Sequence, residues 1–137
     1  MSTIMIVGAT RGIGLELTKQ YANEGNQVIA CARDTANASL LNEVASGSEN
    51  IKIEQLDIAD AGSIESASSR IGEEAIDSVI IVAGWVGGMP DNQTIDNIDI
   101  DEWHNTLNIN TIGPLLVAKA FKSNLAASGN GNFFAKN

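Results

Sequence analysis

The stretch Val7-Gly8-Ala9-Thr10-Arg11-Gly12-Ile13-Gly14 decides the reading of this chain. It follows a short β-branched run, Thr3 to Val7, of the kind that forms a buried strand. It opens an amphipathic segment, Gly12 to Glu24, in which the i, i+4 spacing of Ile13, Leu17 and Tyr21 predicts an inward helical stripe. Each glycine has a physical task in such a turn. Gly8 permits a tight exit from the strand, Gly12 lets the backbone approach a pyrophosphate, and Gly14 lets the helix pack close to the sheet. The helix N-terminus then offers free N–H groups to phosphate oxygens. The competing reading is a structural turn that holds no ligand, since glycine-rich turns are common.

Outward from this turn, apolar runs alternate with helical patterns to the end of the chain. Asn23 and Gly25 close the first helix. Gln27 to Ala32 reads as a second strand and Thr35 to Val44 as a second helix, with Leu40, Leu41 and Val44 inward. Ile51 to Leu56 is a third strand, Ala61 to Ile71 a third helix, and Ser78 to Ala83 a fourth strand. A polar loop from Gly84 to Ile98 leads to a long helix from Ile100 to Ala127, with Asp99 as N-cap and Glu102 completing a capping box. The segment Ile112 to Phe121 is apolar nearly all round, which predicts burial on more than one side, and Gly113-Pro114 predicts a kink. Asn132 to Lys136 starts a fifth strand. This alternation specifies an α/β fold: a doubly wound parallel sheet with helices on both faces, in one domain spanning 1–137.

Composition narrows the function classes. A formal net charge of −9 argues against a nucleic-acid binder, which needs a basic face. An anionic cofactor is still compatible, because backbone N–H groups and one or two local cations can hold phosphate. No apolar run approaches membrane-spanning length, and the N-terminus lacks the pattern of a signal peptide. The single cysteine, Cys31, excludes an intramolecular disulfide and a cysteine metal cluster, so no metal site is expected and a reducing cytoplasm is the default location. His104, the only histidine, has no partner in the pattern for metal or nucleophile chemistry and is read as a surface or packing residue.

The spacing Gly-x-x-x-Gly-x-Gly over Gly8 to Gly14 resembles the short-chain dehydrogenase/reductase family, and further landmarks follow in the same order. The resemblance implies a Rossmann-type sheet of order 3-2-1-4-5. Members that use NAD carry an acid at the position of Ala32; here Arg33 follows instead, and Arg11 resembles a second basic residue of NADP-preferring members. A guanidinium can pair bidentately with a 2′-phosphate, so NADP(H) is expected ahead of NAD(H). Asp34 counts against this, and Arg33 could instead only cap the sheet edge in solvent. Leu56-Asp57-Ile58 resembles the adenine-contacting segment, although Asp57 could be an ordinary turn residue. Ala83-Gly84 matches the end of the family's Asn-Asn-Ala-Gly, with Ile81 and Val82 replacing the asparagines. Asn110, three residues before Gly113, resembles the asparagine that holds a water at a disturbed helical turn; Asn108 is the competing candidate.

The expected cofactor contacts are therefore Gly8, Thr10, Arg11, Gly12, Ile13, Gly14, Arg33, Asp57, Ile58, Ala83 and Gly84, with Asn110 in a catalytic role. Trp85, Val86 and Met89 fall on the loop that borders the substrate pocket in the family, where apolar residues can also be packing. The family's catalytic serine and Tyr-x-x-x-Lys are absent: the one tyrosine, Tyr21, has Gly25 four residues later. The resemblance thus implies the cofactor-binding portion of a carbonyl or alcohol oxidoreductase, ending at the fifth strand, inactive alone and prone to form a homo-oligomer. A non-catalytic dinucleotide-binding or protein-interaction module is the alternative.

Overall fold

The computed structural model describes residues 1–136, less the side chain of Asn92; Asn137, the last residue of the expected domain, lies outside them. Five strands, β1 (Thr3–Val7), β2 (Gln27–Ala32), β3 (Ile51–Gln55), β4 (Ser78–Ile81) and β5 (Asn132–Ala135), form one sheet in the order β3-β2-β1-β4-β5. Every pairing is parallel, with Val7 opposite Cys31 and Ile81, and Ala32 opposite Gln55. The helices are α1 (Gly12–Asn23), α2 (Ser39–Ser46), α3 (Ala61–Ile71), α4 (Ile100–Leu107), α5 (Gly113–Ala120) and α6 (Lys122–Ser128).

Alternate residues of the strands feed two cores. Ile4, Ile6, Val28 and Ala30 pack with Leu15, Ala22 and Leu41 from α1 and α2. Met5, Val7, Ile29, Val79 and Ile81 face the other way, onto Ile64, Ala67 and Ile71 of α3 and onto Val117 and Phe121. The sheet is therefore doubly wound, and the strand order reverses between β1 and β4. Crevices beyond the carboxyl ends of strands at such a reversal are where ligands bind in open α/β sheets.

Several expectations about individual elements need correction. On α1 the buried residues are Gly14, Leu15, Thr18 and Ala22; Leu17 and Tyr21 are half-buried and pack against the same core as expected, but Ile13 is 52% exposed. The buried Thr18 hydroxyl donates to Gly14 O at 2.8 Å, so a polar residue is carried on the apolar stripe without an unmet hydrogen bond. α2 starts at Ser39 rather than Thr35, because the Asp34 carboxylate takes the N–H groups of Ala36 and Asn37 and closes a turn there. Leu40 consequently points outward while Leu41 is buried.

The expected single helix from Ile100 to Ala127 is three α-helical pieces. A π-type turn, Asn108–Ile112, joins α4 to α5. Pro114 has no N–H for the α-helical bond back to residue 110, and widening the helix by one residue absorbs that loss without a sharp kink. A second break falls at Phe121, where φ −106° and ψ 11° leave the helical region. The Ser68 hydroxyl accordingly donates to Ala120 O at 3.1 Å. Burial is also one-sided: Val117 and Phe121 are buried, but Ile112 and Leu115 are exposed. Asp99 caps α4 as expected, accepting from Asp101 N and Glu102 N, but the Glu102 side chain does not complete the box. Among the described residues no helix is long and apolar enough to cross a membrane.

Two buried titratable groups lie within the sheet. Glu54 of β3 is buried opposite Cys31 of β2. Its Oε1 accepts from Arg70 Nε at 3.2 Å, and among the described residues Oε2 has no hydrogen-bond partner. Burial, and then the Glu54 carboxylate, push the Cys31 thiol well above its ordinary range, with Arg70 opposing. A thiol that is buried and held protonated is inert. Cys31 is expected to resist a thiol reagent at mildly alkaline pH in the folded chain and to react fully in denaturant. Equal labelling rates in the two conditions would contradict this placement.

Candidate functional site

The carboxyl end of β1 is closed by four backbone hydrogen bonds. Gly8 N and Ala9 N both donate to Cys31 O, at 3.3 and 3.1 Å, while Val82 N and Ala83 N both donate to Val7 O, at 2.9 and 3.0 Å. β4 ends as a ladder at Ile81, so Val82 and Ala83 belong to this closure rather than to the strand as expected. Gly8 has φ +95°, and a Cβ there would lie 2.6 Å from Ala83 N. A Cβ on Gly14 would run into Gly8 O. These glycines bring the N-terminus of α1 directly onto the strand ends.

Gly12 differs from the other two. Its φ is +55°, yet a Cβ there would meet nothing within 4 Å. The space beside it is open, and the protein itself does not require its bareness for packing. Arg11, the N-cap residue, is extended at φ −159° and makes no side-chain cap bond, so the first-turn N–H groups of α1 are left to an outside acceptor. Thr10 is half-buried, and Arg11, Gly12 and Ile13 are exposed.

Beyond β2, Ala32 is buried and Arg33 is exposed. Neither Arg11 nor Arg33 takes part in an ion pair among the described residues. The concern raised by Asp34 has a structural answer. Its carboxylate is held by the Asn37 side chain at 2.6 Å and by the backbone of Ala36 and Asn37, which together with Arg33 keep its pKa below the ordinary carboxylate value. The acid is thus committed to the turn.

Beyond β3, Asp57 N donates to the Ser63 hydroxyl at 2.8 Å, and Asp57 Oδ1 accepts from Ala59 N at 3.0 Å. The turn role considered for Asp57 is real and uses one carboxylate oxygen. Among the described residues Oδ2 has no hydrogen bond. Ile58 sends its side chain into the core and is 7% exposed, so any contact it makes with a ligand is through its backbone.

The π-type turn lies between the exits of β3 and β4. Asn108 Nδ2 donates to Ala59 O at 2.8 Å, and a Cβ on Gly113 would lie 2.5 Å from Ile58 O. On the other side the Asn110 carboxamide both accepts from Trp85 N, at 2.8 Å, and donates to Trp85 O, at 2.6 Å. Asn108 and Asn110, the two competing candidates, therefore reach opposite loops. Asn110 sits in the disturbed helical turn, as the resemblance implied, with its side chain engaged by protein backbone. Gly84 passes close to it: a Cβ there would lie 3.5 Å from Asn110 Oδ1. The Trp85 indole donates to Glu102 Oε2 at 2.8 Å, which is where the missing half of the capping box went. Nothing in the linear pattern marks Glu102 as the partner of Trp85, because the 85–98 loop that brings them together has no regular periodicity.

The sheet order, the glycine turn from Gly8 to Gly14 and the paired strand exits define a dinucleotide-binding type of fold. The chain belongs to the short chain dehydrogenase family, whose sequence pattern matches residues 2–133. It is 34% identical over 119 residues to an uncharacterized oxidoreductase of Schizosaccharomyces pombe, an alignment covering 85% of this chain and 46% of that protein. A carbonyl reductase from Pseudomonas aeruginosa PAO1, solved in complex with NADP, superimposes with a TM-score of 0.82 at 31% identity, covering 90% of this chain and 56% of the other. NADPH-bound carbonyl reductase from chicken fatty liver gives 0.76 at 28% identity, covering 91% and 48%. The chain spans half or less of the length of the curated relatives it matches first.

Asn110→Ala would remove both bonds to Trp85 and leave its backbone groups to find water. The expected cost is about 1–3 kcal/mol of unfolding free energy, with a shift in tryptophan emission as the backbone at Trp85 loosens. Chemical denaturation followed by fluorescence checks both. Wild-type stability and emission would show that the carboxamide does not hold the loop.

Proposed function

We propose that residues 1–137 are the dinucleotide-binding domain of an oxidoreductase that interconverts carbonyls and alcohols, and that this domain holds NADP(H) in preference to NAD(H). The observation that carries the proposal is the cradle around Gly12. A left-handed glycine with open space at its Cβ position lies beside an uncapped helix N-terminus, at the reversal of strand order. The residues fit the group. Gly8, Thr10, Gly12, Ile13 and Gly14 would hold the pyrophosphate by backbone N–H groups and close approach. Arg11 and Arg33 would take the 2′-phosphate. Asp57 Oδ2 would accept from the adenine amino group, with the Ile58 backbone beside it, and Ala83 and Gly84 would lie against the nicotinamide ribose.

When bound, the cofactor supplies or accepts hydride at its nicotinamide ring. The chain's own residues would bind and orient it. Asn110 holds the loop at Trp85 and would keep the floor of the nicotinamide end in place. The preference for the 2′-phosphate rests on Ala32 where a carboxylate would repel it, on two unpaired guanidinium groups, and on the commitment of Asp34 to its turn. The two carbonyl reductases described above, with NADP and NADPH bound, support the same cofactor.

Titrating NADPH and NADH into the purified chain is expected to show tighter binding of NADPH, and Arg33→Ala should remove most of the difference. Tighter NADH binding, or an unchanged preference in Arg33→Ala, would refute the assignment. With no Tyr-x-x-x-Lys among its residues, this polypeptide is expected to bind without reducing a carbonyl substrate.

Self-association is part of the same proposal. Ile100, Trp103, Leu107, Ile112 and Leu115 recur along α4, the π-type turn and α5, each between 48% and 68% exposed. A continuous apolar stripe of that kind mediates contacts. Light scattering is expected to show an oligomer that Trp103→Glu dissociates. A wild-type monomer at high concentration would contradict it.

A further inference from the structure

We propose that Gln55 and Ser63 are positioning residues that set the preference for a 2′-phosphate, by locking the exit of β2 to the exit of β3. The inference rests on the reading of Arg33 and Asp57 given above. Gln55 is the last residue of β3 and lies opposite Ala32, the residue before Arg33. Its side-chain amide is used at both ends. Nε2 donates to Arg33 O at 3.0 Å, and Oε1 accepts from the Ser63 hydroxyl at 3.1 Å. The same hydroxyl oxygen accepts from Asp57 N at 2.8 Å. An unbroken relay therefore runs from the Asp57 backbone through Ser63 and Gln55 to the Arg33 backbone.

The relay has a fixed direction. A carbonyl at Arg33 requires the amide nitrogen of Gln55, and the Ser63 proton then meets the amide oxygen; the reversed amide would set two oxygens against each other at Arg33. Gln55 is itself pinned, since Arg70 donates from a terminal guanidinium nitrogen to Gln55 O at 2.7 Å. On the far side of Arg33, Asp34 is tied to Ala36 and Asn37. The backbone of Arg33 is thereby held on both sides, and its guanidinium is the group left to move. Asp57 is likewise held at its N–H and at Oδ1, which leaves Oδ2.

These contacts sit on top of sheet pairing that does not need them. The β2–β3 register is complete up to Ala32 and Gln55, and Leu56 N continues it to Ala32 O at 3.0 Å. A merely structural role for Gln55 would change stability, or change affinity for both cofactors alike. A positioning role changes the ratio between them, because only the 2′-phosphate reads where Arg33 is.

The test uses the 137-residue chain and two fragment probes, adenosine 2′,5′-bisphosphate and adenosine 5′-monophosphate, with affinities measured by calorimetry. Gln55→Met keeps the side-chain length and removes both hydrogen bonds. It is expected to lower the bisphosphate-to-monophosphate affinity ratio by about 3- to 10-fold, the scale of one hydrogen bond. In an Arg33→Ala background the same substitution should leave the ratio unchanged. Ser63→Ala breaks the relay at its other end and is expected to lower the ratio in the same direction; it decides the matter if Gln55→Met does not fold. A wild-type preference that survives both variants, or an equal fall with and without Arg33, overturns the proposal. A wild-type chain that binds the two probes equally overturns the reading of Arg33 itself, and the inference falls with it.

Discussion

Two carbonyls at the end of the central strands, Val7 O and Cys31 O, each accept two backbone N–H groups, and the space for this exists only because Gly8 and Gly14 have no side chains. This closure places the start of α1 against the ends of β1 and β4, at the point where the strand order reverses. Everything proposed for the site depends on it. A helix standing a few ångströms further off would still cover the sheet, but its free N–H groups would no longer face the crevice between the strands. The buried Thr18 belongs to the same arrangement, since its hydroxyl satisfies Gly14 O at the point of closest approach.

The second constraint is the π-type turn. Asn108 and Gly113 meet the loop after β3, and Asn110 meets the loop after β4. One widened turn thus ties together the exits on both sides of the cleft, and Pro114 gives a backbone reason for the turn to be there. Under the proposed reading, this is the end of the fold where the nicotinamide would lie. The engagement of Asn110 with Trp85 suits it to holding that end rigid.

The sequence pattern carried the parallel sheet, because β-branched runs stopped by glycine and alternating with helical patterns are local signals, while the strand order came from the family resemblance at Gly8–Gly14. It carried β1, β2 and α3 to the residue. Of the expected α1 stripe, Leu17 and Tyr21 pack against the core and Ile13 does not, because the close contact at Gly14 rotates the helix to bury Leu15, Thr18 and Ala22. The division of the long helix was legible only in part: Gly113-Pro114 marked a disturbance, but the choice of a π-type turn over a kink depends on partners supplied by Ala59 and Trp85. Gln55 and Ser63 were invisible, and Glu102 was read with the wrong partner, because each acts through an ordinary polar side chain whose partner comes from another strand or loop.

Residue-resolved hydrogen exchange with and without NADPH tests the central claim most directly, because it reads the backbone N–H groups on which the cradle depends. The account predicts that saturating NADPH slows exchange in the segment from Gly12 to Gly14 and near Arg33 and Asp57, with little change on the exposed face of α4. Unaltered exchange in the glycine turn, with protection confined to the outer helices, would contradict it.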